Sequence, residues 1–233
     1  MLLSRRHMIQ AGAAGGALTL LPSSLLAQVA EPVYRTRPDR GADPEYGYRP
    51  RTVPAQARPS ADAIIDRRLL ARARASFDRH RNELRDIDVV AIVDFSKASA
   101  ESRFFLLDTN SGRVTRHLVA HGRGSDPLHT GFLQSFSNRP GSVATSNGAY
   151  VTSEYYPGRY GRSMRVRGLD YSNSNAEARA IVVHSAWYAE PQVALVQGRL
   201  GRSEGCFALS YQSLQETLAR LGPGRFLYAD RLA

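Results

Sequence analysis

The chain has 233 residues, 42% of them hydrophobic and 9% aromatic, which is enough apolar material for a proper core in one large domain or two small ones. Its net charge of +10 would suit a nucleic acid, but the carriers are scattered arginines with Lys97 as the only lysine, and no RNP, zinc-finger or helix-turn-helix pattern accompanies them. Nucleic acid is therefore excluded as the expected partner, and the single cysteine excludes an internal disulfide.

At the N-terminus, Ser4-Arg5-Arg6-His7-Met8-Ile9 leads into the apolar, glycine-rich run from Ala11 to Leu21 and then Pro22-Ser23-Ser24-Leu25-Leu26-Ala27. The charged, apolar and small-residue regions of an export signal follow in order, so residues 1–27 are expected to direct export to the periplasm or cell envelope, and the paired arginines make the signal twin-arginine-like. The apolar run is too short to span a bilayer, so no transmembrane anchor is expected after cleavage. Residues 28–60, rich in Pro, Arg, Gly and polar side chains without an apolar period, read as a disordered linker.

Ser60-Ala61-Asp62 reads as a helix start, and Ile65, Leu69, Ala73 and Phe77 recur every four residues. The spacing predicts one helix to about Leu84, within a segment 61–86 that packs on the domain behind it. Residues 87–233 then change to a strand period. Val89 to Phe95, Arg103 to Asp108 and Arg113 to Val119 are strand-like, and Thr109-Asn110-Ser111-Gly112 has hairpin-turn chemistry. A long polar stretch from His121 to Gly141 has the length of a functional loop. Strand signals return at Tyr150 to Tyr155 and at Met164 to Gly168. Ser174 and Glu177 form a capping-box pattern for a short helix that ends before Ile181. Pro191 and Gly198 bracket another short helix, and Ser210, Leu214, Leu218, Leu221 and Gly222 mark the last, before a final strand at Arg225 to Tyr228. Strands that come mostly as hairpins predict a mainly β fold: an antiparallel sandwich or barrel with a few peripheral helices.

The chemistry concentrates at Ile181-Val182-Val183-His184 and at Gly201-Arg202-Ser203-Glu204-Gly205-Cys206-Phe207-Ala208. A G-x-S-x-G elbow at 201–205 would need a histidine after Ser203, and His184 is the last in the chain, so an α/β-hydrolase order is impossible. An unpaired cysteine in an exported chain asks for a reason; a buried inert thiol is the bland alternative. With Cys206 as nucleophile, His184 at the end of a strand is the candidate base, since the thiolate is the form that attacks. Gly205 lets the backbone approach a substrate, and its amide with that of Cys206 could cradle an oxyanion. His121 and His129 in the long loop have no carboxylate or further histidine at ligand spacing, so neither a metal nor another cofactor is expected.

These segments resemble the murein L,D-transpeptidase (YkuD-like) family. The resemblance rests on His184-Ser185-Ala186-Trp187-Tyr188, matching H-x-A-W-Y, and on residues 201–208, matching G-R-S-x-G-C-x-A. It extends to Phe136-Ser137-Asn138-Arg139-Pro140-Gly141-Ser142, Gly148-Ala149-Tyr150-Val151-Thr152 and Arg167-Gly168-Leu169-Asp170, covering about Val89 to Phe226. It implies a β-sandwich-like catalytic domain in which Cys206 attacks a peptidoglycan stem peptide between an L-centred diamino acid and D-alanine. D-alanine leaves, and the acyl group passes to an amine on a neighbouring stem or on a protein. By the same resemblance His184 is the base and Ser203, with Gly205, shapes the site and orients the imidazole. Many relatives carry glycine directly after the histidine and arginine two residues after the cysteine, where this chain has Ser185 and Ala208. Arg202 and Arg199 are then the candidates for gripping a substrate carboxylate, against a reading as solvated loop charges. Trp187 and Tyr188 are candidates to line the cleft, although an aromatic beside a buried strand belongs more commonly to the core. Tyr155 and Tyr156, before Pro157-Gly158, read as loop packing. A hydrolase using the same thiol and a non-catalytic wall-binding module stand as alternatives.

Overall fold

The computed structural model describes residues 60–233; the expected export signal and the linker up to residue 59 lie outside the described residues. Where one helix is predicted from Ser60 to Leu84, two form. Helix α1 (Ala61–Ile64) stops as Ile65 takes an extended backbone, and Asp66 starts α2 (Arg67–Arg79) by accepting a hydrogen bond from the Arg68 amide. Asp66 competes for backbone donors better as a cap than within a helix, which is why the break falls there. The Ser60 side chain makes no capping bond. The four-residue stripe nevertheless faces inward, with Ile65, Leu69 and Ala73 buried and Phe77 packed beside them.

The sheet has eight strands: β1 (Val89–Asp94), β2 (Phe104–Asp108), β3 (Val114–His117), β4 (Gly148–Gly158), β5 (Gly161–Gly168), β6 (Val182–Ser185), β7 (Phe207–Leu209) and β8 (Phe226–Asp230), in the order β3-β2-β1-β8-β4-β5-β6-β7. Antiparallel neighbours in sequence account for β1–β2, β2–β3 and β4–β5, the second joined at the turn that Thr109 to Gly112 predicts. Two neighbour pairs, β1–β8 and β6–β7, are parallel and joined by long connections, so the sheet is mixed. An isolated bridge from Ala120, just beyond β3, to Ala208 in β7 brings the two edges together and nearly closes the sheet into a barrel.

Alternation along the strands sends side chains to two cores. Val89, Ala91, Val93, Phe104, Leu106 and Phe207 enter the inner one, which is closed by Leu214, Leu218 and Leu221 of α4 (Tyr211–Leu221). Val90, Ile92, Phe105, Phe226 and Tyr228 face the opposite way, onto the α2 stripe. β1 is therefore buried at all six positions, and its sequence is an unbroken apolar run up to Asp94 rather than an alternating one. Each large side chain so covered contributes about 1.5–3 kcal/mol of hydrophobic stabilisation.

The remaining helices follow the sequence with one exception. α3 (Pro191–Gln197) begins on Pro191 and ends on Gly198 at φ 68°, and Ser210 caps α4 by accepting from the Ser213 amide. Between β5 and β6 no helix starts at Ser174. A 3-10 turn at Tyr171–Asn173 carries a capping box made by Asp170 and Asn173, and further turns lead to Ala180, whose φ of 52° stops any helix. The Ser174 hydroxyl donates to the Tyr171 carbonyl instead of capping a helix.

Candidate active site

The two chemistry-bearing segments lie side by side because β6 and β7 pair in parallel, with Val183 opposite Phe207 and His184 opposite Ala208. Val183 and Phe207 point into the inner core, so the alternate residues His184 and Ala208 point to the other face, and Cys206, two residues before Ala208, shares it. Extending the register by one residue sets Cys206 opposite Val182, roughly 8 Å from His184 between Cα atoms on ordinary strand spacing and rise. That is within reach of an imidazole and a thiol on the same face.

His184 is buried. Its Nδ1 pairs with the Ser185 carbonyl at 2.8 Å, an arrangement that places the proton on Nδ1 and leaves Nε2 as the acceptor, with no partner among the described residues. Burial lowers the pKa of the ring, and the Ser185 carbonyl partly offsets this, so the imidazole is neutral and basic near neutral pH. The Tyr160 ring at the β4–β5 turn stacks on it at 5.3 Å between centroids, and the Tyr160 carbonyl accepts from the Ser185 hydroxyl at 2.9 Å.

Cys206 is partly buried, and its Sγ donates to the Ala180 carbonyl at 3.6 Å rather than to His184. Burial raises the thiol pKa, a backbone hydrogen bond with Val182 lowers it, Glu204 raises it and Arg179 lowers it. The group rests as a thiol bonded to the Ala180 carbonyl and makes no hydrogen bond with Nε2. Such looser contacts are ordinary in a site that holds no substrate.

Ser203 shapes the turn before the cysteine. Its hydroxyl donates to the Cys206 carbonyl at 2.7 Å and accepts from the Gly205 amide at 3.2 Å, while its carbonyl accepts from the Arg123 amide. Neither group turns toward the imidazole, which is oriented by Ser185 instead of the Ser203 expected for that task. The Gly205 amide is already engaged, so the Cys206 amide is the one of the expected pair that is left for an oxyanion. Gly205 sits at φ 117°, and a Cβ there would come within 2.8 Å of the Ala144 carbonyl.

The long loop acts as a buttress for residues 199–206. The His121 carbonyl accepts from the Ser203 amide, the His129 ring pairs with the Leu200 carbonyl at 2.9 Å, and Arg202 donates to the carbonyls of Asp126 and Pro127. Beneath it, fully buried Arg103 and Asp126 flank the His121 ring at 2.8 and 3.4 Å, and burial first, then Arg103, pulls that histidine down to about 3. Arg202 is thus spent on backbone, and Arg199 packs against Gly131 with its Nε buried and without a hydrogen-bond partner among the described residues. The arginine beside the thiol is Arg179, five residues before His184 in the irregular turns, where no sequence pattern distinguishes it. Trp187 is 73% exposed rather than in the core, edge-on to a half-buried Tyr188 whose hydroxyl pKa is raised by burial and by its nearness to Cys206. Tyr155 is part of β4, donating to the Leu218 carbonyl. Among the described residues no three metal-ligating side chains gather.

Fold and site together define a nearly closed β-barrel domain with a histidine on β6 and a lone cysteine at the entry to the adjacent parallel strand β7. Residues 61–229 match the L,D-transpeptidase catalytic domain family, and the chain belongs to it; the match takes in α2 as well as the sheet. Solved structures similar to it include an L,D-transpeptidase from Mycobacterium smegmatis (16% identity, 61% of this chain and 58% of that one, TM-score 0.37) and one from Xylanimonas cellulosilytica (15%, 63% and 62%, 0.38). Another is the helical cell shape determining protein Pgp2 from Campylobacter jejuni (13%, 64% and 49%, 0.39). The chain spans less than two thirds of the length of each. No curated protein matches it.

Proposed function

We propose that this chain is a cysteine-dependent L,D-transpeptidase of the cell envelope that acts on peptidoglycan stem peptides. The observation that supports the reading is the parallel pairing of β6 with β7, which sets His184 opposite Ala208, two residues after Cys206, in a chain of this family. The fit is chemical: a neutral imidazole whose Nε2 has no partner among the described residues lies on the strand beside the cysteine segment, and Gly205 lets the cysteine turn pack directly on the Ala144 carbonyl.

In the proposed reaction, Nε2 of His184 takes the Cys206 proton as sulfur attacks the carbonyl carbon between the diamino acid and D-alanine. The Cys206 amide donates to the resulting oxyanion, a contact of a kind worth about 2.7–4 kcal/mol in the transition state. The tetrahedral carbon collapses with cleavage of its C–N bond. D-alanine leaves with the proton held by the imidazolium, and a thioester remains on Cys206. An acceptor amine, on a second stem or a protein, attacks the thioester and gives its proton to His184. Sulfur leaves and is reprotonated. Ser203 serves by fixing the turn that carries the thiol, Ser185 by holding the imidazole tautomer, and Tyr188 with Trp187 forms the wall beside it.

The test is to incubate the protein with a tetrapeptide stem and an amine acceptor and to weigh the products. The expected product is donor plus acceptor less one D-alanine. A shortened tripeptide alone would make the chain a hydrolase of the same bond, and an unchanged stem would contradict both.

A further inference from the structure

The residue that ties the cysteine loop to the rest of the site is one that the proposed chemistry leaves unused. Arg179 spends its guanidinium on four oxygens of a single neighbouring segment: Nη1 donates to the Ser137 carbonyl at 2.6 Å and the Ser146 hydroxyl at 2.7 Å, and Nη2 to the Ser142 hydroxyl at 3.1 Å and to the Ala144 carbonyl. Charge-assisted bonds of this kind are about twice as strong as neutral ones. The clasped segment is in turn pressed against the cysteine loop. A Cβ on Gly205 would lie 2.8 Å from the Ala144 carbonyl and 3.4 Å from Arg179 Nη2, and one on Gly122 would lie 2.5 Å from the Val143 carbonyl and 2.8 Å from the Gly205 backbone. Three stretches of backbone therefore meet without a side chain between them, and the guanidinium closes the stack beside Cys206.

The backbone at both ends of this clasp is held in an unfavourable conformation. Val143 has φ 48°, a rare state for a β-branched residue, and Ala180, next to Arg179, has φ 52°. Such conformations cost on the order of 1–3 kcal/mol each and persist only where their surroundings over-determine them. At Ala180 the turn aims the Arg179 side chain at the 137–146 segment and the Ala180 carbonyl at the thiol, whose hydrogen bond it receives.

We infer that Arg179 is a positioning residue that sets the reactivity of Cys206, clasping the 137–146 segment against the cysteine loop and fixing a positive charge beside the sulfur. The inference rests on the proposed function for its purpose but not for its test. The charged and titratable groups that surround the thiol are few. Glu204 on its own loop opposes the thiolate, as do the hydroxyls of Tyr150 and Tyr156 on β4 and of Tyr188 after β6 should they ionise; His184 on β6 is neutral. Arg179 is the cation among them. It lowers the thiol pKa against the larger effect of burial.

Cys206 is the only cysteine, so the rate of iodoacetamide alkylation of the full chain as a function of pH reads this one thiol. Arg179→Gln keeps a side chain that can hydrogen-bond but removes the charge; its alkylation midpoint is expected to rise, with a correspondingly slower reaction at neutral pH. Arg179→Lys keeps the charge and is expected to retain most of the wild-type profile. Circular dichroism reports whether the variants fold. Should Arg179→Gln not fold, the double substitution Ser142→Ala and Ser146→Ala, which loosens the guanidinium without removing it, is expected to shift the midpoint in the same direction by a smaller amount. A Gln profile lying on that of the wild type, equal shifts for Lys and Gln, or an unmoved midpoint in the serine variant when that variant decides, overturns the inference. A wild-type thiol that resists alkylation at every pH overturns the proposed function as well, whereas a reactive thiol indifferent to Arg179 overturns this inference alone.

Discussion

At the scale of single residues, the site depends on backbone conformation as much as on side chains. Gly205 is held at φ 117°, and a Cβ on it would meet the Ala144 carbonyl at 2.8 Å, so Gly205→Ala must displace either the cysteine turn or the segment behind it. A displacement of about 1 Å at a reacting group can cost on the order of a hundredfold in rate. The variant is accordingly expected to lose about that factor in kcat/KM and to unfold with about 1–3 kcal/mol less stability. Steady-state kinetics and urea denaturation check both, and near wild-type kcat/KM in Gly205→Ala would remove the turn from the account. The residue that most plainly escaped the sequence is Arg179. An arginine among turns reads like any of the others, and only the folded chain shows which carbonyls it serves. Arg202 illustrates the reverse: its place in the cysteine motif suggested a substrate contact, and the structure turns it back onto the carbonyls of residues 126 and 127.

At the scale of elements, the β4–β5 hairpin and the strand β6 work together. The turn of the hairpin lays the Tyr160 ring over His184, and burial is the main reason that the imidazole resists protonation. The proposed reaction needs the neutral ring, so activity should rise with pH through a histidine pKa that lies below the ordinary 6.5. Removing the ring in Tyr160→Ala admits water, reduces the desolvation penalty and lets the pKa climb back toward 6.5. The acid limb of kcat/KM is therefore expected to move to higher pH, so that the variant loses most ground in mild acid and least above pH 8. A limb that stays in place would show that the hairpin does not govern the base. The helices tell a simpler story. α3 and α4 were readable because Pro191, Gly198, Ser210 and Gly222 punctuate them, while the break at Asp66 was hidden inside an apolar stripe that runs through it without interruption.

At the scale of the whole molecule, the sequence revealed the strands and the hairpins better than the sheet. Turn residues report which strands are neighbours in sequence, as at Thr109 to Gly112, but nothing local encodes the parallel pairings of β1 with β8 and of β6 with β7. Yet the second of these brings His184 to Cys206. β7, at three residues, is too short to show a period of its own, and its place was legible only through the cysteine motif that precedes it. The barrel closes at the same strand, where Ala120 bridges Ala208, so the site lies at the seam of the sheet and is braced by the loop leading from β3. This arrangement accounts for the length of that loop: its His121, Asp126 and His129 support residues 200–203. The central claim, that one thiol carries the acyl group, is tested most directly by acid-quenching the protein after brief exposure to a tetrapeptide donor without acceptor and weighing the Cys206 peptide. The account predicts a base-labile adduct on Cys206 equal to the stem less D-alanine, absent in Cys206→Ala together with all turnover; an adduct on another residue, or turnover that survives Cys206→Ala, would contradict it.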